Sequence, residues 1–225
     1  MDRWNGRWVV FDVGETLVDE TRVWSTWADV AGVTRLTLMA VLGATIARGK
    51  GHQSVFEELG LPHWEHHRDE LEASYGAIDD SDLYPDVRPT MTALAVAGYR
   101  LAIFGNQLAR RAADLRALDL PVEAIAMSDE MQLAKPDPAY YARVLELLGG
   151  PAPASVAHVG DRVDNDVLPA AAAGLRSIWI RRGPWGRIQE LPDGFDPSLV
   201  IAGLAELPDQ LEQVFASLPR PVSSV

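Results

Sequence analysis

Trp8-Val9-Val10-Phe11-Asp12-Val13-Gly14-Glu15-Thr16 is the stretch on which the fold turns. Four bulky apolar residues with no polar alternate suit a strand buried on both faces. Such strands belong to parallel sheets covered by helices on each side. The run stops at an acid, Asp12. In a sheet of this kind ligands collect beyond the carboxyl ends of the strands, where the strand order switches. Position alone makes Asp12 a candidate site residue.

Downstream of residue 86 the pattern alternates helix and strand. Helical stretches are expected over 87–97, 109–118, 139–148, 167–173 and 207–215, and strands over 100–104, 122–127, 155–159, 177–180 and 199–201. Gly98, Gly149-Gly150 and Gly174 follow three of the helices, as helix stops should. Pro169 falls early in its helix, where proline is tolerated. Strands separated by helices imply right-handed crossovers. The expected class is therefore α/β, a doubly wound, mainly parallel Rossmann-like sheet.

Between the first strand and residue 86 the sequence is mainly helical. Leu36, Met39, Ala40, Gly43, Ile46 and Ala47 recur at helical spacing, as do Val55, Phe56 and Leu59. This predicts a core of residues 1–17 and 86–225 with a small all-helical cap inserted at 18–85. An insert leaving the core just after Asp12 and Thr16 would sit over the site as a lid.

Composition narrows the partners. Of the 225 residues, 32 are acidic and 20 are Lys or Arg, a formal charge of −12 that repels nucleic acid and acidic membranes. The absence of cysteine removes disulfides, thiolate catalysis and cysteine-ligated zinc. The most apolar segment, 36–47, falls short of a membrane crossing, and the N-terminus lacks the apolar stretch of a secretory signal. The expectation is a cytoplasmic monomer or homodimer with neither membrane nor nucleic-acid partner. Pro219, Pro221 and the serines beyond read as a frayed tail.

The polar residues that matter fall at strand ends. Asp12 ends the first strand, Gly105-Asn106 the second, and Gly160-Asp161 a later one, with Asp166 and Lys135 in neighbouring loops. Three carboxylates, Asp12, Asp161 and Asp166, converging with Lys135 would be costly unless neutralised. A divalent cation removes that cost, and an oxygen-only donor set favours Mg²⁺ over zinc or copper. Lys135 adds positive charge for a bound dianion. Metal and lysine around one carboxylate make a workable apparatus for phosphoryl transfer, where positioning and charge neutralisation dominate.

At these residues the sequence resembles the haloacid dehalogenase (HAD) superfamily over nearly the whole chain. Phe11-Asp12-Val13-Gly14-Glu15-Thr16-Leu17 is similar to its nucleophile loop, and Leu101-Ala102-Ile103-Phe104-Gly105-Asn106 stands at its second motif. Ser128-Asp129-Glu130 leading to Ala134-Lys135-Pro136-Asp137-Pro138 resembles the lysine motif. Val159-Gly160-Asp161-Arg162-Val163-Asp164-Asn165-Asp166-Val167 resembles the acidic fourth motif of its phosphatases. The resemblance implies that Asp12 attacks phosphorus and carries an aspartyl-phosphate. It implies that Asp12, the Gly14 carbonyl and Asp161 ligate Mg²⁺, with Asp166 supporting the metal through water. Lys135 would steady the charges, and Gly105 and Asn106 would meet the phosphate of a small phosphorylated metabolite.

Two positions depart from the family's pattern. Gly14 stands where the acid–base aspartate is usual, and Gly105 where Ser or Thr usually bonds the phosphate. Both losses leave room for a second reading, a HAD-fold binding or regulatory protein with little catalysis. A metal-independent dehalogenase is a third, disfavoured by Asp161 and Asp166. Glu15 is a tempting replacement acid, although its side chain should point elsewhere than position 14. Thr16 reads as a hydroxyl tying the loop to its own backbone. Asp164 reads as a surface charge, and His63, His66 and His67 as a solvated helix face. Trp24 and Trp27 suit packing of the insert better than a substrate wall, while Trp4, Trp8 and Trp185 should cover the edge of the core.

Overall fold

The structure is a computed structural model that describes residues 6–61 and 63–216. Trp4 and the tail that includes Pro219 and Pro221 lie outside the described residues. Six strands form one sheet: β1 (Trp8–Phe11), β2 (Arg100–Gly105), β3 (Ala124–Met127), β4 (Val156–Gly160), β5 (Arg176–Ile180) and β6 (Leu199–Ile201). Their order is β3-β2-β1-β4-β5-β6, and every neighbouring pair is parallel. The chain therefore winds outward from β1 through β2 and β3, then returns to add β4, β5 and β6 on the other side. The reversal lies between β1 and β4, and a crevice opens there at the strands' carboxyl ends.

Alternation along β1 shows why its residues are apolar throughout. Val9 and Phe11 enter a cluster with Met91 and Leu94 of α5 (Val87–Val96), Leu115 of α6 (Arg110–Ala117) and Leu211 of α11 (Leu207–Ala216). Trp8 and Val10 enter the opposite cluster with Tyr140, Tyr141 and Val144 of α8 (Pro138–Leu147) and Ala170 of α9 (Leu168–Ala172). Each face of the sheet is thus covered by helices, and a polar residue anywhere in β1 would have no water to meet. Trp8 is 3% exposed on this central strand, so it fills the core rather than its edge.

The segment between β1 and α5 is helical, with α1 (Thr21–Val30), α2 (Arg35–Ala47), α3 (Ser54–Glu58) and α4 (Arg68–Tyr75). Its own cluster joins Trp24, Trp27, Leu38, Leu42, Ile46, Phe56 and Leu71. On α2 the buried side differs from the stripe expected from sequence. Leu38, Leu42, Thr45 and Ile46 face inward, whereas Leu36 is 80% exposed and Ala40 and Ala47 are also outside. The helix is apolar nearly all round, so spacing alone does not choose its inner face; packing against α1 and α3 does. Among the described residues no single helix is long and apolar enough to cross a membrane.

The insert enters and leaves at one place. Val18 bridges Leu83 in antiparallel fashion, Asp19 N–H donates to the Asp82 carbonyl at 2.8 Å, and Tyr84 N–H donates to the Leu17 carbonyl at 3.0 Å. Arg182, after β5, clamps this junction. Its guanidinium donates to Asp86 at 2.8 and 3.1 Å and to the Thr16 carbonyl, and it lies 3.9 Å from the centre of the Tyr84 ring. Nη1 serves both Asp86 oxygens while Nη2 takes the Thr16 carbonyl, and the charge strengthens each bond. The loop bearing Asp12 is thereby tied to the root of the insert.

Candidate active site

The strand ladder delivers Asp12. Its N–H donates to the Val159 carbonyl at 2.9 Å, continuing β1 one step beyond Phe11, and the next carbonyl gathers the loop. The N–H groups of Leu17 and Val18 both donate to the Val13 carbonyl, at 2.8 and 2.9 Å, while Leu17 and Val18 sink into the core. Glu15 takes a left-handed backbone, φ 52°, to close this turn. Its carboxylate accepts from the Glu20 N–H at 3.0 Å and from the Tyr84 hydroxyl at 2.5 Å. It therefore points toward the insert root, not toward the place of a side chain at Gly14. The Thr16 hydroxyl is buried without a partner, so the expected tie to its own backbone is absent.

Lys135 reaches the site from the loop after α7 (Ser128–Met131). Its Nζ donates to Asp12 Oδ1 and Asp166 Oδ1, each at 2.5 Å. Asn106 holds the lysine in place by its backbone. The Asn106 amide donates to the Lys135 carbonyl and accepts from the Lys135 N–H, both at 2.9 Å. That side chain, expected at the phosphate, is thus engaged with Lys135. Gly105 is equally constrained, because a Cβ there would lie 2.7 Å from Val13 Cγ2 and 3.3 Å from Asp12 Oδ1. Val13 fills the space in which a serine or threonine would stand.

Asp166 sits on a wide helical turn, Val163–Val167, of the type that recurs at functional sites. Besides Lys135, it meets His158 Nε2 at 3.1 Å and accepts from the Arg162 N–H at 3.2 Å. It lies across Gly160, where a Cβ would come 2.7 Å from Asp166 Oδ2 and closer still to its Cβ and Cγ. Glycine is required there for the carboxylate to approach. Gly160→Ala should therefore cost about 1–3 kcal/mol in denaturant unfolding, the usual range for overpacking. It should also cut activity by displacing the acid that holds Lys135, and an unchanged midpoint with unchanged rates would contradict that geometry.

Asp12, Asp161 and Asp166 are all buried and offer carboxylate oxygens within 4.8 Å of one another. Asp161 Oδ2 has no hydrogen-bond partner. Burial pushes the Asp12 carboxyl up, against the opposing pull of Lys135. Burial likewise raises Asp161 well above the usual range, and the charges of Asp166 and Asp12 add to it. For Asp166 burial also favours the proton, but Lys135 and His158 outweigh it and hold the group low. Burial opposes the charge of Lys135, yet Asp12 and Asp166 lift its pKa well above an ordinary lysine. The lysine is a fixed cation.

These residues floor a cavity of about 250 Å³ whose roof is the insert. Trp24 and Trp27 both pack the insert and wall the cavity, since each is 8% exposed in the insert's cluster and each lines the cavity. Trp185 belongs to α10 (Gly183–Ile188), a helix not foreseen, and packs against the insert 6.5 Å from Trp24 rather than covering the core edge. His52 lines the cavity as a neutral ring, its pKa pushed down to about 4 by burial and then by Arg162. Glu20 lines it too, its carboxyl pushed up to about 8 by burial and then by Glu15. Arg111 from α6 donates to Glu72 of α4 at 2.9 Å, and both line the cavity. Away from the cavity, His63, His66 and His67 are exposed, and Asp164 pairs with Arg162 at 2.7 Å.

Sequence alone does not mark Arg182, and it marks His158 only weakly. His158 had a signal, being the one polar side chain in the buried run of β4. Arg182 had none, because its partners Asp86 and Thr16 are distant along the chain.

A lysine-braced acid cluster at the switch point of a parallel sheet, roofed by helices, defines a Rossmann-like α/β protein with a charged cavity at its strand ends. The model of the haloacid dehalogenase-like hydrolases matches residues 7–174, and the chain belongs to that family. A glyceraldehyde 3-phosphate phosphatase of Methanopyrus kandleri is 29% identical over 135 residues, 58% of this chain and 57% of the relative. A phosphoserine phosphatase of Thermus thermophilus is 30% identical over 143 residues, 60% of this chain and 56% of the relative. The matched part thus spans somewhat over half the length of these curated relatives. Among solved structures, a HAD phosphatase from Thermococcus onnurineus superposes with a TM-score of 0.59 at 23% identity, covering 91% of this chain and 97% of that one. The L-2-haloacid dehalogenase of Xanthobacter autotrophicus gives 0.65 at 23%, covering 92% and 98%. At these identities the two structures speak for the fold alone.

Proposed function

We propose that the chain hydrolyses the phosphate monoester of a small metabolite, with Asp12 as nucleophile and Mg²⁺ as cofactor. The observation that carries this reading is the Lys135 ammonium bonded to both Asp12 and Asp166 beside a buried Asp161 oxygen that has no partner. The donor set fits a hard divalent cation. Three carboxylates and one ammonium leave a formal charge of −2, and the oxygens are close enough to share one ion. Asp12 and Asp161 would hold it, with Asp166 supporting from the side of Lys135. The bound ion would supply the positive charge that keeps these acids ionised together and draws in the phosphate oxygens.

The chain's own groups then divide the work. An Asp12 oxygen attacks phosphorus, the ester P–O bond breaks, and water later attacks the same phosphorus to release inorganic phosphate and restore the carboxylate. Lys135 keeps Asp12 aimed and neutralises the phosphate, while Asp166, His158 and the Asn106 amide keep Lys135 aimed. Residues 18–85 act as a cap on the core of residues 1–17 and 86–225. A cavity of this volume suits the ester of a compact metabolite, in keeping with the small esters named for the two phosphatase relatives.

The test is a panel of small phosphate esters assayed with Mg²⁺ and with chelator. Mg²⁺-dependent release of phosphate from at least one ester is expected. Phosphate binding without turnover across the panel would reject hydrolysis in favour of a binding protein.

A further inference from the structure

Breaking an ester P–O bond leaves an alkoxide that needs a proton, and the water of the second step must lose one. A carboxyl facing the cavity can do both. Among the described residues six acids line the cavity, and five are otherwise engaged. Asp12 is the nucleophile and Asp161 the cation's oxygen donor, under the reading above. Asp166 is bonded to Lys135, His158 and the Arg162 N–H. Glu72 is paired with Arg110 and Arg111. Glu15 spends one oxygen on the Glu20 N–H and the other on the Tyr84 hydroxyl, and it packs so closely on Gly183 that a Cβ there would strike it. Glu20 is the sixth.

We propose that Glu20 is the proton donor and acceptor of the hydrolysis, its carboxyl standing beside the nucleophile in the space a side chain at position 14 would occupy. This rests on the phosphomonoester reading. A Cβ built on Gly14 would fall 2.8 Å from Glu20 Cδ and closer still to its Oε1. The carboxyl therefore occupies the volume into which a longer residue 14 would grow, two residues from Asp12 in sequence. Its other oxygen, Oε2, accepts from Trp24 Nε1 at 3.1 Å, which turns Oε1 toward Gly14. Glu15 fixes the backbone behind it through the Glu20 N–H. Glycine at 14 and glutamate at 20 are thus one arrangement, and Glu15 has the supporting part.

The proton balance closes over the two steps. As Asp12 forms its bond to phosphorus, the neutral Glu20 carboxyl gives its proton to the departing ester oxygen, releasing an alcohol and leaving carboxylate. That carboxylate takes a proton from water as the water oxygen attacks phosphorus and the Asp12 P–O bond breaks. Glu20 returns to its neutral form, and the sum is ester plus water to alcohol plus phosphate.

The experiment compares leaving groups. Wild type and Glu20→Gln are assayed with Mg²⁺ on a primary alkyl phosphate and on para-nitrophenyl phosphate, whose phenolate departs without a proton. General acid–base help is worth roughly 10²–10⁴-fold. The alkyl ester should lose that much in kcat/KM, and the aryl ester at least about tenfold less. On the aryl ester, whose first step needs no proton, acid quenching should show phosphate accumulating on Asp12, because the second step loses its base. Gly14→Asp alone should collide with Glu20 and impair the enzyme, whereas Gly14→Asp with Glu20→Gly should regain alkyl turnover lost in Glu20→Gly. Equal losses on both esters, or none, would overturn the role of Glu20 while leaving the phosphatase reading intact. The relocation pair decides the matter if Glu20→Gln proves unfolded by circular dichroism. A wild type inactive on every phosphate ester would overturn both.

Discussion

Asp12→Asn should abolish phosphatase turnover, by roughly 10⁴–10⁶-fold, the scale on which removing a nucleophile acts elsewhere. The amide cannot form the acyl phosphate, and neither of the other two acids of the cluster can take its place. Asp161 is the cation's oxygen donor in this reading, and Asp166 is held by Lys135, His158 and a backbone N–H. The variant should nevertheless fold. Burial penalises the Asp12 carboxylate, as its raised pKa reflects, so a neutral amide of the same shape escapes that penalty. Lys135 keeps Asp166 as a charged partner and is not stranded. Rates on the best ester of the panel, measured beside thermal unfolding in chelator, separate the two effects. Undiminished rates would reject Asp12 as the nucleophile, and a collapsed melting temperature would show that its charge is structural.

Much of the fold was legible because the decisive signals were local. The apolar run of residues 8–11, the glycines after helices and the helix–strand alternation beyond residue 86 each act over a few residues, and the six strands fall where those signals put them. The acids at strand ends were legible for the same reason: a strand's end is a local event, and topology then carries Asp12, Asp161 and Asp166 together. What failed to show in sequence depends on contacts made at a distance. Arg182 meets Asp86 and Thr16, and Trp185 meets Trp24, only after the chain has wound round the sheet. The inner face of α2 is chosen by its neighbours, not by its own spacing.

Gly14 and Gly105 show the limit most clearly. In sequence each reads as a missing functional group. In the structure each is matched by a neighbour that fills the same space, Glu20 at the first and Val13 at the second. The two cases differ in chemistry, since Glu20 returns a carboxyl to the cavity and Val13 returns no hydroxyl. Under the phosphomonoester reading, Gly105 thus contributes no hydroxyl to the phosphate, and Lys135 carries the charge that meets it.

Lys135→Met should produce the largest change in stability, and one that a divalent cation partly reverses. The substitution keeps the side chain's length and apolar stem but leaves Asp12 and Asp166 buried without their cation, beside a third buried acid, Asp161. Breaking a buried pair by removing one partner costs about 3–5 kcal/mol. For a chain of this size that is roughly 6–20 °C in Tm, at about 2–4 °C per kcal/mol. The sign of the pH dependence follows from Asp166. In the wild type its pKa is held low, so it contributes stability above the unfolded carboxylate's pKa that is lost as pH falls. Without Lys135 burial dominates and raises it, so the folded state gains from binding protons and the deficit narrows toward acid. Millimolar Mg²⁺ acts in the same direction by supplying charge instead of protons, and it should raise the Tm of Lys135→Met by more than it raises wild type. Thermal unfolding at neutral and mildly acidic pH, with chelator and with Mg²⁺, reads all three effects. Should the variant melt with the wild type in chelator at neutral pH, the ammonium does not neutralise these acids in the folded state. The cluster would then be protonated at rest, and a cation would have to displace protons to enter it.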